Sequence, residues 1–393
     1  MANFCAQCGV ALSPTGQCPN CGKMYAPDAD PHANDGFFER ATKKLTEMTG
    51  ENDFVDLRLR DLFSQVFKRH TLDDSEAVFI AGTKNTTPKE SELSSSWPKP
   101  WLFSRVFTMF LLTFAFLYIC FMFFENMNAL PGMIFIGAVA VPFSLLVFFI
   151  EVNAPRNISF YEVLKVFFIG GGASLVITLI LFTFISPGES LDFVGATIVG
   201  IVEEVAKFAV VAFFVKKNSE ANYVLNGILL GAAVGAGFAA FETAGYILNF
   251  GLQGTVSDMM TVLWLRALLA PGGHVAWAAI TGGALLLAKR EKPFAFSQLR
   301  DKKFLAFFFL AVAMHAVWDM PIFIGIDFPV VQIALTVFAW VVLLVMVSAG
   351  LKEISRKASD ARLRELQEAS EAEIPETVPV APMPKEAMAE VNL

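Results

Sequence analysis

The sequence predicts an all-α polytopic membrane protein of about eight transmembrane helices, preceded by a small zinc-ribbon domain. Three observations lead there. Of 393 residues, 55% are hydrophobic and only 17% charged, with 40 phenylalanines and a mean hydropathy of +0.55, which is too apolar for a soluble domain. Apolar runs long enough to cross ~30 Å of hydrocarbon recur between residues 101 and 350. Four of the five cysteines are crowded into residues 5–21. The same figures exclude other classes. A net charge of −7 without a cationic block leaves no nucleic-acid partner to expect, and the composition rules out a secreted disulfide scaffold. The polar first 35 residues contain no apolar stretch of the signal-peptide kind, so targeting is expected from the internal helices.

Composition divides the chain into a zinc ribbon (1–22), a cytoplasmic connector with amphipathic helices (23–100), a membrane body (101–350) and a charged, then disordered, tail (351–393). In the ribbon, Cys5, Cys8, Cys18 and Cys21 form two CxxC pairs, each followed by glycine. Two thiolates on one tight turn fill two of the four positions of a tetrahedral ion, and two such turns close the site. About 22 residues cannot bury a core that folds alone, so structural Zn²⁺ would supply most of the folding free energy. With all four positions filled by protein, the expected role is docking or sensing of a protein partner. In the connector, Phe37, Phe38, Ala41, Leu45 and Met48, and then Val55, Leu59, Leu62, Phe63 and Val66, recur at helical spacing. The second stretch carries Arg58, Arg60, Lys68 and Arg69, which suits either an anionic membrane surface or another part of the protein. Residues 85–100 read as an extended linker.

The spans fall near 101–124, 130–150, 163–185, 191–215, 222–250, 259–288, 304–324 and 328–350. Alternate loops hold Arg156 and Lys165, then Lys216 and Lys217, then Lys289, Arg290, Lys292, Arg300, Lys302 and Lys303, while the intervening loops hold no Lys or Arg. Positive-inside bias then places both termini in the cytoplasm of a multi-pass cell-membrane protein, of prokaryotic inner-membrane type. A reducing cytosol also suits four metal-binding thiolates.

Ionisable residues inside the spans are the informative ones, because each costs several kcal/mol at mid-bilayer unless it faces a polar interior. They are Glu203, Glu204 and Lys207 in the fourth span, Glu242 in the fifth, Arg266 and His274 in the sixth, and His315 and Asp319 in the seventh. Counting ~1.5 Å per residue puts both glutamates and both histidines near the midplane, with Glu242, Asp319 and Arg266 further out. Glu203 and Lys207 share a helix face at i,i+4, as do His315 and Asp319. Two adjacent glutamates in a low dielectric repel each other, which leaves one to hold a proton and the other to act as a base towards water. Pro271-Gly272-Gly273 is expected to break the sixth helix just before His274.

The ordered set EExxK (Glu203 to Lys207), FAxxE (Phe238 to Glu242), PxxH (Pro271 to His274) and HxxxD (His315 to Asp319) resembles the PrsW family of glutamic-type intramembrane proteases, distant relatives of type II CAAX prenyl endopeptidases. The resemblance covers residues 100–350 and implies hydrolysis of a peptide bond in or near the membrane segment of a membrane-anchored protein, as in regulatory site-1 proteolysis. On it, Glu203 or Glu204 activates a water, while His274 and His315 position it or stabilise the oxyanion. Phe238 shapes the pocket, and Lys207, Glu242, Arg266 and Asp319 support it. Two His and two Glu also suit a catalytic Zn²⁺, and the residues alone leave both versions open, with the metal-free one narrowly preferred. Other functions compatible with these residues are a proton- or cation-coupled transporter, against which the absence of an inverted repeat counts, and a non-catalytic zinc-ribbon membrane sensor.

Overall fold

In the computed structural model the described residues are 37–372 apart from 53, 56, 58, 189–190 and 323–328. The ribbon cysteines Cys5, Cys8, Cys18 and Cys21 and the end of the tail lie outside them. The chain divides into one unit ending at Leu45 and another beginning at Thr46. The helix α1 (Phe37–Thr49) runs across that division, and every other described element belongs to the second unit.

The described residues form helices and no strand. After the short α2 (Leu59–Leu62) and α3 (Leu72–Phe79) come α4 (Leu102–Phe123), α5 (Leu130–Val152), α6 (Phe160–Lys165), α7 (Gly171–Phe184), α8 (Phe193–Lys217), α9 (Val224–Gln253), α10 (Val256–Leu269), α11 (His274–Lys289), α12 (Lys302–Asp319) and α13 (Val330–Ala372). A π-helical turn, Val166–Gly170, joins α6 to α7. Side chains satisfy the free amides at the helix starts. Asp192 Oδ1 accepts from the Gly195 amide at 2.7 Å ahead of α8, and Thr255 and Asp258 cap α10 reciprocally. For α4 the cap comes from another helix: the carboxylate of Glu151, at the end of α5, accepts from the amides of Trp101, Leu102 and Phe103 at 2.8–2.9 Å.

Among the described residues, five segments are long and apolar enough to cross a membrane: Leu102–Phe123, Met127–Val152, Phe160–Phe184, Val224–Gln253 and Val330–Ser370. Of the other helices, α8 and α12 carry too many charged residues to stand out as apolar spans, while α10 and α11, of 14 and 16 residues, are each too short to cross alone. α9 is the centre of the bundle, buried from Val224 to Ala240 and in contact with α5, α7, α8, α10 and α11. Its glycines allow this: a Cβ on Gly231 would lie 2.0 Å from the carbonyl oxygen of Ala278, so α9 and α11 touch backbone to backbone.

The connector differs from its sequence reading. The amphipathic helix expected over Val55 to Val66 shrinks to the four residues of α2, because Leu62 is buried in the protein and Phe63 turns to pack on Phe103 and Phe148. Residues 85–100 contain a 3₁₀ turn, Glu90–Glu92, fastened to α13: Arg362 Nε donates to the Ser91 carbonyl at 2.7 Å, and Ser91 Oγ to Glu365 at 2.7 Å. α13 itself passes residue 350 without a break and ends at Ala372.

Candidate active site

Five helices, α8 to α12, bring together Glu203, Glu204, Lys207, Glu242, Arg266, His274, His315 and Asp319. The break between α10 and α11 is built as the sequence suggests. Ala270–Gly272 makes one 3₁₀ turn, Gly273 stands before α11, and His274 is its first residue. Trp340 Nε1 of α13 donates to the freed Pro271 carbonyl at 3.0 Å, and a Cβ on Gly272 would fall 1.9 Å from Thr336 Oγ1, so α13 both satisfies the break and requires glycine there.

The two glutamates are buried but have unlike surroundings. Glu204 Oε1 lies 2.7 Å from Lys207 Nζ and 2.9 Å from His315 Nδ1. Glu203 Oε2 has no hydrogen-bond partner; it faces His315 Nε2 at 3.6 Å, Lys207 Nζ at 3.7 Å and His274 Nδ1 at 3.8 Å. Lys207 is fully buried, with Nζ 2.8 Å from His274 Nδ1 and 4.6 Å from the centre of the Phe238 ring. The other nitrogen of His274, Nε2, is 2.9 Å from Glu242 Oε2. Glu242 is ion-paired with Arg266, whose Nε donates to Thr243 Oγ1 at 2.9 Å. Asp319 Oδ2 lies 3.3 Å from His315 Nε2. Glu203, Glu242, Arg266, His274, His315 and Asp319 all line one cavity of about 430 Å³.

Three placements differ from the sequence expectation. Lys207 pairs with Glu204, at i,i+3, more closely than with Glu203 at i,i+4, since Glu203 is turned towards the histidines. Glu242 and Asp319, expected at the outer edge, each touch a histidine directly. Trp277 was missed. Its ring stacks on His315 at 4.3 Å between centroids and 25°, and stands edge-on to His274 at 5.2 Å. Its position one turn after His274 was the available signal, but a tryptophan among small apolar residues reads as core.

Helix packing sets the position of His274. A Cβ on Gly235 would sit 2.3 Å from the His274 carbonyl oxygen, so Gly235→Ala pushes the start of α11 away from α9. A misplacement of ~1 Å is expected to cost about 100-fold in turnover. Gly245→Ala, with nothing within 4 Å of the new methyl, should leave turnover unchanged. Turnover of the two variants, with thermal unfolding as a control for folding, checks this; equal activities would remove the argument.

Residues 160–348 match the family described as "PrsW family intramembrane metalloprotease". Protease PrsW of Halalkalibacterium halodurans is 26% identical over 185 residues, covering 47% of this chain and 80% of that protein. No solved structure matches the chain. The matched segment begins at α6 and contains Glu203, Glu204, Lys207, Phe238, Glu242, Arg266, His274, His315 and Asp319, and family model and relative together support a PrsW-family intramembrane protease.

Proposed function

We propose that the chain is an endopeptidase that hydrolyses a peptide bond in or near the membrane segment of a membrane-anchored protein, at the cavity between α8, α9, α11 and α12. The observation that carries this reading is the unpartnered Glu203 Oε2, a buried carboxylate oxygen facing ring nitrogens of two histidines. A buried charge acceptor left without a hydrogen bond is costly and calls for a ligand or a reacting water.

The donor set fits a divalent ion. One oxygen of Glu203 and one nitrogen each of His274 and His315 lie within 4.8 Å of one another. Two histidines and one carboxylate are the ligands of a hydrolytic zinc site with an open fourth position. These distances favour the metal-assisted version over the metal-free one preferred from sequence. Such an ion would lower the pKa of a bound water and polarise the scissile carbonyl. The chain's own groups do the rest. Glu204 accepts from His315 Nδ1 and so directs Nε2 towards Glu203, while Glu242 does the same for His274 through Nε2. Lys207, beside His274 Nδ1, is the group an ion must displace there. Asp319 is the most open carboxylate of the cavity, with its side chain 24% exposed against 14% for Glu242 and 7% for Glu203, and it takes the proton from water. The second reading, in which Glu203 is itself the base and the histidines hold the oxyanion, is favoured by one observation: both ring nitrogens of His274 already have partners.

Around this site we place the rest of the architecture. α8, the α10–α11 pair and α12 join the five apolar segments to make eight crossings, with both termini cytoplasmic. The ribbon cysteines hold one structural Zn²⁺ and govern substrate choice or control rather than chemistry, and the substrate is a regulatory single-pass protein. The test uses the full-length chain in liposomes with a single-pass substrate. With Cys5→Ser and Cys8→Ser removing the ribbon site, one zinc per chain is expected to remain, and His315→Ala should remove it. Chelation should stop cleavage reversibly in the same background. Cleavage that survives chelation establishes the metal-free version, and absence of any Glu203-dependent cleavage overturns the protease reading.

A further inference from the structure

Residues 59–80 present an unusual surface. Phe67 is 95% exposed and Leu72 72%, and Leu59 and Ile80 are more than half exposed, although the segment lies outside the spans. Exposed apolar area of this kind is expensive in water unless something covers it. The segment also has a fixed depth. Arg105, one turn into α4, donates from Nη2 to the Lys68 carbonyl at 3.0 Å, and His70 stacks on Trp101 with ring centroids 3.6 Å apart. Val78 and Phe79 pack on the cluster of Leu102, Val106 and Val147, at the first turn of α4 and the last turns of α5. The exposed side chains therefore stand where the apolar outer face of α4, with Met109, Leu112 and Phe116 exposed below them, meets the headgroups. Arg60, Lys68, Arg69 and Arg105 are exposed in the same region, as are Asp61, Asp73, Asp74 and Glu76.

We propose that residues 59–80 are an interfacial anchor, with Phe67 and Leu72 inserted among the acyl chains of the protein's own membrane and Arg60, Lys68 and Arg69 on anionic headgroups. The occupant follows from continuity with the lipid-facing surface of α4, and Lys68 and Arg69 follow directly on Phe67 in the chain. Insertion is the larger part of the binding, because Asp61 and the exposed Asp73, Asp74 and Glu76 on α3 outnumber Arg60, Lys68 and Arg69. The anchor ties the connector to the bilayer next to the first span, and it does not depend on what reaction the cavity performs.

The test is photo-crosslinking of the full-length chain in vesicles of phosphatidylcholine with or without phosphatidylglycerol. A benzophenone amino acid is placed at Phe67 or Leu72, or at Glu368 on the exposed end of α13 as a control. Lipid adducts at 67 and 72 are expected to exceed those at 368 by about tenfold. Lys68→Glu with Arg69→Glu should lower the yield at 67 in the anionic vesicles and leave it unchanged in the neutral ones. Equal yields at 67 and 368 overturn the anchor, as do adducts to another protein chain in place of lipid. Yields in anionic vesicles that ignore the charge reversal overturn the headgroup assignment.

Discussion

Glu203→Gln is expected to lower turnover by about 10³-fold or more while leaving the protein folded. Both halves of that expectation come from the same atom. Glu203 Oε2 makes no hydrogen bond, so the isosteric amide breaks none and gives up only the 3.7 Å ion pair with Lys207, which keeps Glu204 at 2.7 Å as its closer counter-ion. What disappears is the negative charge between two histidines, and with it either a metal ligand or the base. Glu204→Gln should behave differently. It also inactivates, but it weakens two bonds, to Lys207 and to His315 Nδ1, and leaves a buried ammonium with poorer compensation, so its thermal midpoint should fall as well. Cleavage rates in liposomes beside unfolding curves in detergent separate the two variants. Wild-type turnover in Glu203→Gln would remove Glu203 from the chemistry and leave Glu204 as the carboxylate to examine.

The convergence of the site was legible in the sequence because hydrocarbon makes ionisable residues conspicuous: Glu203, His274 and His315 stand out from apolar runs, and they line one cavity. The break before His274 was legible for the same reason, since Pro271-Gly272-Gly273 cannot continue a helix without help from a neighbour. Pairing was not. Lys207 reaches residues three and four before it equally well, and only the packing of α11 and α12 against α8 turns Glu203 away from the ammonium and Glu204 towards it. The roles of Glu242 and Asp319 were blurred because depth was counted along straight helices, whereas long side chains cover the remaining distance to the histidines. In the connector, periodicity predicted a helix over Val55 to Val66, yet Leu62 is buried and Phe63 takes ring partners on α4 and α5 that a local pattern does not contain. Apolar residues at helical spacing say that a surface will be covered, and here the protein covers part of it while Phe67 and Leu72 remain open.

The largest loss of stability is expected from Lys207→Met. The lysine side chain is fully buried, with its ammonium 2.7 Å from Glu204, 3.7 Å from Glu203 and 2.8 Å from His274 Nδ1, and Phe238 closes over it. Methionine fills nearly the same volume, so packing changes little and the consequence is electrostatic. Two adjacent buried carboxylates then face each other without the ammonium, Glu204 keeping its bond to His315 Nδ1 and Glu203 gaining nothing in return. Breaking a buried pair by removing one partner typically costs about 3–5 kcal/mol, part of which the protein recovers by holding one glutamate protonated. The double variant Lys207→Met with Glu204→Gln removes the charge and its partner together and should be more stable than Lys207→Met alone, with a coupling of about 1–3 kcal/mol in a double-mutant cycle. Its activity should stay lost, because His315 Nδ1 no longer faces a carboxylate. Chemical unfolding of the four proteins in one detergent measures the cycle. A Lys207→Met variant as stable as wild type, or a double variant no better than the single, would mean that Lys207 is neutral in the folded protein and that the bond to His274, rather than the pairing with Glu204, is its reason for being there.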